Sequence, residues 1–168
     1  MTKTYYIFRH GEKYFSKRDI PYGDKVETAE IILEFITTVE RLAEYLKDKI
    51  GTANYSSPFL RCRQTTEIVT RITGKEFTTD QRIGEELLTH GRETYEEMVS
   101  RFSDFVSEMD NSSDEVITLC THGWPISVLA NLITKGEMKK EWLDNIVKPG
   151  EIIIIKDGKV EMISFREE

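Results

Sequence analysis

Two arginines and two histidines in this chain stand where they can act on one ligand. They belong to three segments with one pattern: an apolar run, a small or polar turn, then the start of a helix. The segments are Tyr6-Ile7-Phe8-Arg9-His10-Gly11, Asn54-Tyr55-Ser56-Ser57-Pro58 with Arg61 just beyond, and Leu119-Cys120-Thr121-His122-Gly123. In an α/β sheet such turns lie outside the carboxyl ends of the strands, the edge where ligands bind. Arg9, His10, Arg61 and His122 are therefore expected to meet although they are far apart in the chain. Arg61 falls in the first turn of a helix opened by Pro58, where uncommitted backbone N–H groups and the helix dipole also favour an anion. Two guanidiniums, two imidazoles and helix N-termini make a pocket for a tetrahedral dianion, and phosphate is the obvious candidate.

Plainer readings of the same residues stay open at this level. His10 and His122 can be turn histidines without a task, and Arg61 an exposed helix charge paired with Glu67 or Asp80. Arg63 reads as a solvated helix charge, and His90, in a polar Thr-His-Gly-Arg stretch, as a loop residue. Cys62 and Cys120 read as small core residues, and neither has the arginine six positions on that a cysteine phosphatase needs. Trp124 and Trp142 read as core or rim packing. Glu93, Glu96 and Glu97 read as a solvated helix face.

The elements that must position these side chains follow from periodicity and punctuation. Residues 4–8 are a run of β-branched and aromatic types, read as a buried strand. Residues 12–24, with Pro21, Gly23 and many charges, read as a loop; residues 26–36 are apolar-rich without a decisive period. Thr37 and Glu40 have capping-box spacing, and Val39, Leu42, Ala43 and Leu46 fall on one helical face running to about residue 49. Residues 53–56 predict a strand, and Ser57-Pro58 a cap and first-position proline for a helix that stops at Gly74. Residues 76–79 predict a short strand. Met98, Phe102, Phe105, Val106 and Met109 predict a helix over 93–109. Residues 110–114 read as a polar loop, 116–120 as a strand, and the apolar stretch to 133 as a helix. A short helix is expected around 138–146. Residues 152–155 and 160–165, split by Asp157-Gly158, predict a terminal hairpin. Strands alternating with helices imply a three-layer α/β/α sandwich with a mostly parallel central sheet and an antiparallel edge.

With the motifs placed on strand-to-helix turns, a resemblance becomes specific. Arg9-His10-Gly11, Ser56-Ser57-Pro58-Phe59-Leu60-Arg61-Cys62-Arg63-Gln64-Thr65 and Thr121-His122-Gly123 resemble, in order and separation, the three signature segments of the histidine phosphatase superfamily, the phosphoglycerate mutase-like fold. The resemblance covers roughly residues 4–135. It implies that His10 attacks phosphorus, that Arg9 and Arg61 bind phosphoryl oxygens, and that His122 completes the pocket. It implies no metal and no cofactor. The family often places a glutamate shortly after an Arg-hydrophobic pair, and Arg82-Ile83-Gly84-Glu85 matches, so Glu85 is the expected proton donor. Glu86 and Glu93 are the alternatives. The Gly-Trp-Glu-Gly-like element of larger members is absent after Glu85. The 36 positions from Glu85 to Thr121 are also too few for the cap those members insert. Ser16 stands where they often carry Asn. A small, cap-less phosphatase is therefore expected, acting on phosphomonoesters or on protein phosphohistidine, and a mutase is not. Lys13, Arg18, Lys25 and Arg92 are candidates for the mouth of the site.

The bulk properties narrow the class of protein. The 168 residues carry 23 Lys+Arg against 30 Asp+Glu, a formal net charge of −7. An acidic chain with no long basic cluster argues against general nucleic-acid binding. No apolar run approaches the ~18 residues of a membrane helix. The start reads as a core strand without a signal peptide, and two cysteines without CxxC spacing fit a reducing compartment. One soluble cytoplasmic domain over residues 1–168 is expected. Two other functions fit the same residues. One is a non-catalytic module that binds a phosphorylated ligand. The other is a metal hydrolase with His10, His122 and His90 as ligands, which the neighbouring arginines disfavour.

Overall fold

The computed structural model describes residues 2–12 and 25–167. A six-stranded sheet forms its centre: β1 (Thr4–Arg9), β2 (Ala53–Ser56), β3 (Thr78–Thr79), β4 (Val116–Thr121), β5 (Glu151–Lys156) and β6 (Lys159–Ser164). The strand order is β3-β2-β4-β1-β5-β6. Pairings β3/β2, β2/β4 and β4/β1 are parallel, and β1/β5 and β5/β6 antiparallel. Among the described residues four helices flank it: α1 (Ile36–Leu46), α2 (Leu60–Thr73), α3 (Tyr95–Asn111) and α4 (Gly123–Lys135).

The alternation of side chains along β1 assigns the layers. Tyr5 and Ile7 pack into one cluster with Met98, Phe102 and Phe105 of α3 and Val128 and Leu129 of α4. Phe8 packs into the other with Val39, Leu42 and Leu46 of α1 and Cys62 and Val69 of α2. A sheet buried on both faces needs such apolar strands, and the result is the expected α/β/α sandwich. None of the described helices is long and apolar enough to cross a membrane.

Several boundaries differ from the sequence reading, each for a physical reason. The Thr37/Glu40 capping box does not form. Helix α1 continues a 3₁₀ turn (Leu33–Phe35) and already begins at Ile36, so Thr37 lies inside it, and the flanking residue Phe35 makes no side-chain cap. Glu40 instead faces Arg71 at 3.5 Å. Pro58 is not the first residue of α2, which starts at Leu60 after an extended Phe59. The short helix expected around 138–146 is only a 3₁₀ turn, Lys140–Trp142. The Asp157-Gly158 turn is as expected, with φ of 54° and 72°, the left-handed pair that a two-residue hairpin requires. The loop expected over 12–24 lies, beyond Glu12, outside the described residues, as do Lys13, Ser16 and Arg18.

Candidate active site

The sheet order brings the three motifs together. β4 lies between β1 and β2, so three parallel strands deliver Arg9, Ser57 and His122 at adjacent carboxyl ends. Backbone bonds lock the exits: His10 N–H donates to Thr121 O at 3.2 Å, and Ser57 N–H to Cys120 O at 2.9 Å. The segment that carries Glu85 hangs from the same edge. Asp80 N–H donates to Ser56 O at 2.9 Å, and the Thr121 hydroxyl to Ile83 O at 2.6 Å.

At this edge the rings of His10 and His122 lie 5.1 Å apart, and both residues, with Arg61, are fully buried. His10 Nδ1 is 2.7 Å from the Gly11 carbonyl, and its Nε2 receives Arg61 Nε–H at 3.3 Å. A carbonyl only accepts and a guanidinium only donates. These two contacts fit the tautomer that carries its proton on Nδ1 and turns its lone pair at Nε2 to Arg61. Arg61 extends the same fork to Glu85 Oε2 at 3.2 Å and to the Val26 carbonyl. Glu85 Oε2 also lies 3.4 Å from His122 Nδ1. Four of the five predicted residues thus form one cluster: His10, Arg61, Glu85 and His122.

Arg9 reaches the edge from the other side. Its Nη1 donates to Asn145 Oδ1 at 3.2 Å and to Val147 O at 2.9 Å. Glu86 is turned into its own loop, accepting from Leu88 N, Thr89 N and the Thr89 hydroxyl. Glu93 belongs to no solvated face. Its side chain is 7% exposed and holds Arg101 in a two-toothed pair at 2.9 and 2.8 Å. Glu96 and Glu97 are exposed, as is His90, which does not join the cluster. Arg63 is exposed and donates to Pro58 O. Arg92, at the rim, pairs with Glu27 at 2.9 Å, and Lys25 is exposed on the same turn. Trp124 and Trp142 are half-buried; Lys135 stands 4.0 Å from the Trp142 ring. Both cysteines are buried and unbridged, and burial, followed by the neighbouring Cys62, pushes the Cys120 thiol well up. Among the described residues no group of three or more His, Cys, Asp or Glu is placed to hold a metal ion.

Four participants were not legible as such. Ser57 reads in the sequence as a helix cap, but its hydroxyl lies 2.8 Å from His122 Nε2. Thr65 accepts Gly11 N–H at 2.9 Å and donates to Arg61 O at 2.7 Å, joining the first two motifs. Arg101, from α3, donates to the carbonyls of Arg82, Gly84 and Glu85, fixing the backbone that presents the Glu85 carboxylate. Asn145 has no local signal at all; only the folded chain sets it beside Arg9.

The sequence and the fold both have relatives. No curated protein matches the chain by sequence. Among solved structures it is similar to "Mycobacterial hydrolase 1" (TM-score 0.76, 17% identity, 97% of this chain and 96% of that one). It is also similar to a mycobacterial glucosyl-3-phosphoglycerate phosphatase complexed with VO3 (TM-score 0.73, 17% identity, 90% of each chain). A third is the protein histidine phosphatase SixA complexed with tungstate (TM-score 0.67, 15% identity, 95% and 94%). At such identities these likenesses establish the fold. Residues 5–89, half of the chain, match the model of the histidine phosphatase superfamily (branch 1) and contain the first two motifs and Glu85. The chain belongs to the histidine phosphatase superfamily.

Proposed function

We propose that this protein is a metal-independent phosphatase that hydrolyses phosphomonoesters, or phosphohistidine on a protein, through a phospho-His10 intermediate. The observation that carries the reading is the His10 ring, held by the Gly11 carbonyl with its Nε2 lone pair turned to Arg61 and His122 beside it. An imidazole fixed in that tautomer is a competent nucleophile at neutral pH.

A phosphoryl group entering between the rings takes over the Arg61 donors that now rest on His10, Val26 and Glu85. His10 Nε2 forms a bond to phosphorus as the bond to the leaving oxygen breaks. Arg9, Arg61 and His122 hold the charge on the equatorial oxygens, where most of the catalysis of phosphoryl transfer lies. Glu85, a carboxylate while it pairs with Arg61, takes up a proton from solvent as the phosphoryl group draws Arg61 away, and gives it to the leaving oxygen. Glu85 then removes a proton from the water that attacks the phospho-imidazole, which releases phosphate and restores neutral His10. Two arginines beside the imidazoles disfavour a cation at the same place, which supports the metal-independent reading.

Acid-quenched enzyme mixed with labelled phosphomonoester is expected to retain acid-labile label in the wild type and none in His10→Ala, with turnover unaffected by chelator. In Glu85→Gln, turnover of an alkyl phosphate drops by about 10²-fold or more and an aryl phosphate far less, because phenolate needs little protonation. Wild-type rates in His10→Ala would sink the mechanism; unchanged alkyl turnover in Glu85→Gln would remove only the acid.

A further inference from the structure

The geometry points to Asn145 as a positioning residue for Arg9, and to Gly123 as the residue whose missing side chain lets Asn145 reach it. The inference deepens the proposed function, because it rests on Arg9 as a ligand of the phosphoryl oxygens.

Arg9 stands at the end of β1, and its long side chain has several rotatable bonds that its partners must fix. Two of its contacts bear directly on the plane of the guanidinium. Both are made by Nη1, to Asn145 Oδ1 at 3.2 Å and to the Val147 carbonyl at 2.9 Å. Two acceptors on one nitrogen fix the plane of the guanidinium, and the plane fixes where its remaining N–H groups point. Of the two acceptors only Asn145 is a side chain that a substitution can remove. It comes from the connection after α4, a part of the chain outside all three motifs.

Residue 123 makes the approach possible. A Cβ there would stand 1.6 Å from Asn145 Oδ1 and 3.0 Å from Arg9 Nη1. No side chain is compatible with the amide where it sits. The need is one of space, since Gly123 is not among the residues with positive φ. The Asn145 amide fills the notch that glycine leaves at the start of α4. In the sequence Gly123 reads as part of a turn; in the structure it is the slot through which a distant loop holds the first motif's arginine.

The test uses equilibrium binding of inorganic phosphate by calorimetry, with kcat and KM for p-nitrophenyl phosphate measured beside it. Asn145→Ala is expected to weaken phosphate binding by about tenfold, the worth of one hydrogen bond to a charged group, and to lower kcat/KM by a similar factor. Gly123→Ala is expected to give the same loss with asparagine still present, because the new methyl displaces the flexible amide. In an Arg9→Ala background neither substitution has a further effect. This non-additivity separates positioning from general damage, which would lower binding in both backgrounds. Wild-type phosphate binding in Asn145→Ala, or an equal loss with and without Arg9, overturns the inference. If Asn145→Ala does not fold, the Gly123→Ala pair of backgrounds decides alone. Because binding is read without turnover, a missing phosphoenzyme would refute the mechanism and leave this result standing.

Discussion

Replacing Arg61 with lysine keeps the charge and removes the geometry, and so tests which of the two the site uses. Arg61 is fully buried and spreads three nitrogens over three partners: His10 Nε2 at 3.3 Å, Glu85 Oε2 at 3.2 Å and the Val26 carbonyl. A lysine ammonium is one point on a flexible stem and cannot reproduce a planar fork, so at least two of the three directions are lost. Hydrogen bonds to charged groups contribute about 1.5–3 kcal/mol each. The ammonium recovers part of the loss by moving toward the phosphoryl group, which leaves a deficit of about 3–4 kcal/mol in the transition state. At ~1.4 kcal/mol per tenfold, kcat/KM for an aryl phosphate falls by about 10²–10³. The same variant should lose little stability, because Glu85 keeps a cation near it, whereas Arg61→Ala strands a carboxylate that is only 12% exposed. Steady-state kinetics with thermal unfolding as the control reads both quantities. A folded Arg61→Lys within threefold of wild type would show that charge alone suffices, and the argument from the fork would be wrong.

Two further predictions concern the frame around the cluster. Thr65→Val preserves shape but leaves the buried Gly11 N–H without the acceptor it now has at 2.9 Å. Unfolding in urea should show a loss of about 1–3 kcal/mol, and kcat/KM should fall too, because the first motif is no longer tied to α2. The second concerns pH. Burial pushes the Glu93 carboxyl up, but the Arg101 hydrogen bonds, the Leu87 N–H and the Arg101 charge outweigh it and hold the group below its usual 4.5. A depressed folded value gives stability that is full above the unfolded pKa and is lost as pH falls through the folded one. Glu93→Gln should therefore be less stable than wild type at pH 7, with the gap closing below about pH 4 as the wild-type carboxyl protonates. A gap that stays constant from pH 7 to pH 3 would mean that Glu93 acts by packing and not by charge.

The residues read correctly from the chain are those whose placement follows from local pattern plus one topological rule. Thr4–Arg9, Ala53–Ser56 and Val116–Thr121 announce themselves as strands by composition, and parallel strands must present their following turns at one edge. Nothing more is needed to expect His10, Arg61 and His122 in one place. A serine before a proline has two uses that look identical in sequence. Its hydroxyl can bond backbone amides at the start of the next helix or serve a neighbour across the sheet, and Ser57 does both: it accepts Phe59 N–H at 3.3 Å and lies 2.8 Å from His122 Nε2, while α2 begins three residues later. The Thr37 capping box fails for a reason of position. The helix already begins at Ile36, so Thr37 lies inside it and not at its cap, and the Glu40 amide belongs to the helix's own ladder. Arg101 and Asn145 are a different class. Each acts on backbone or side chains that enter from another part of the chain, Arg101 on the carbonyls before Glu85 and Asn145 on Arg9, 136 positions away. No short window of sequence contains both halves of the Asn145–Arg9 contact, and the Arg101 contacts span 16 to 19 positions without a periodic pattern to mark them. What one sequence can carry is the permission for it: a glycine at 123, where a single carbon would abolish the approach, is a local trace of a long-range bond. On the proposed mechanism, the motifs supply the reacting groups and segments outside them supply the aim. On that reading, the nucleophile and the anion ligands come from strand ends and from the helix that follows one of them, whereas the groups that orient them have only to arrive, from any element the topology brings within reach.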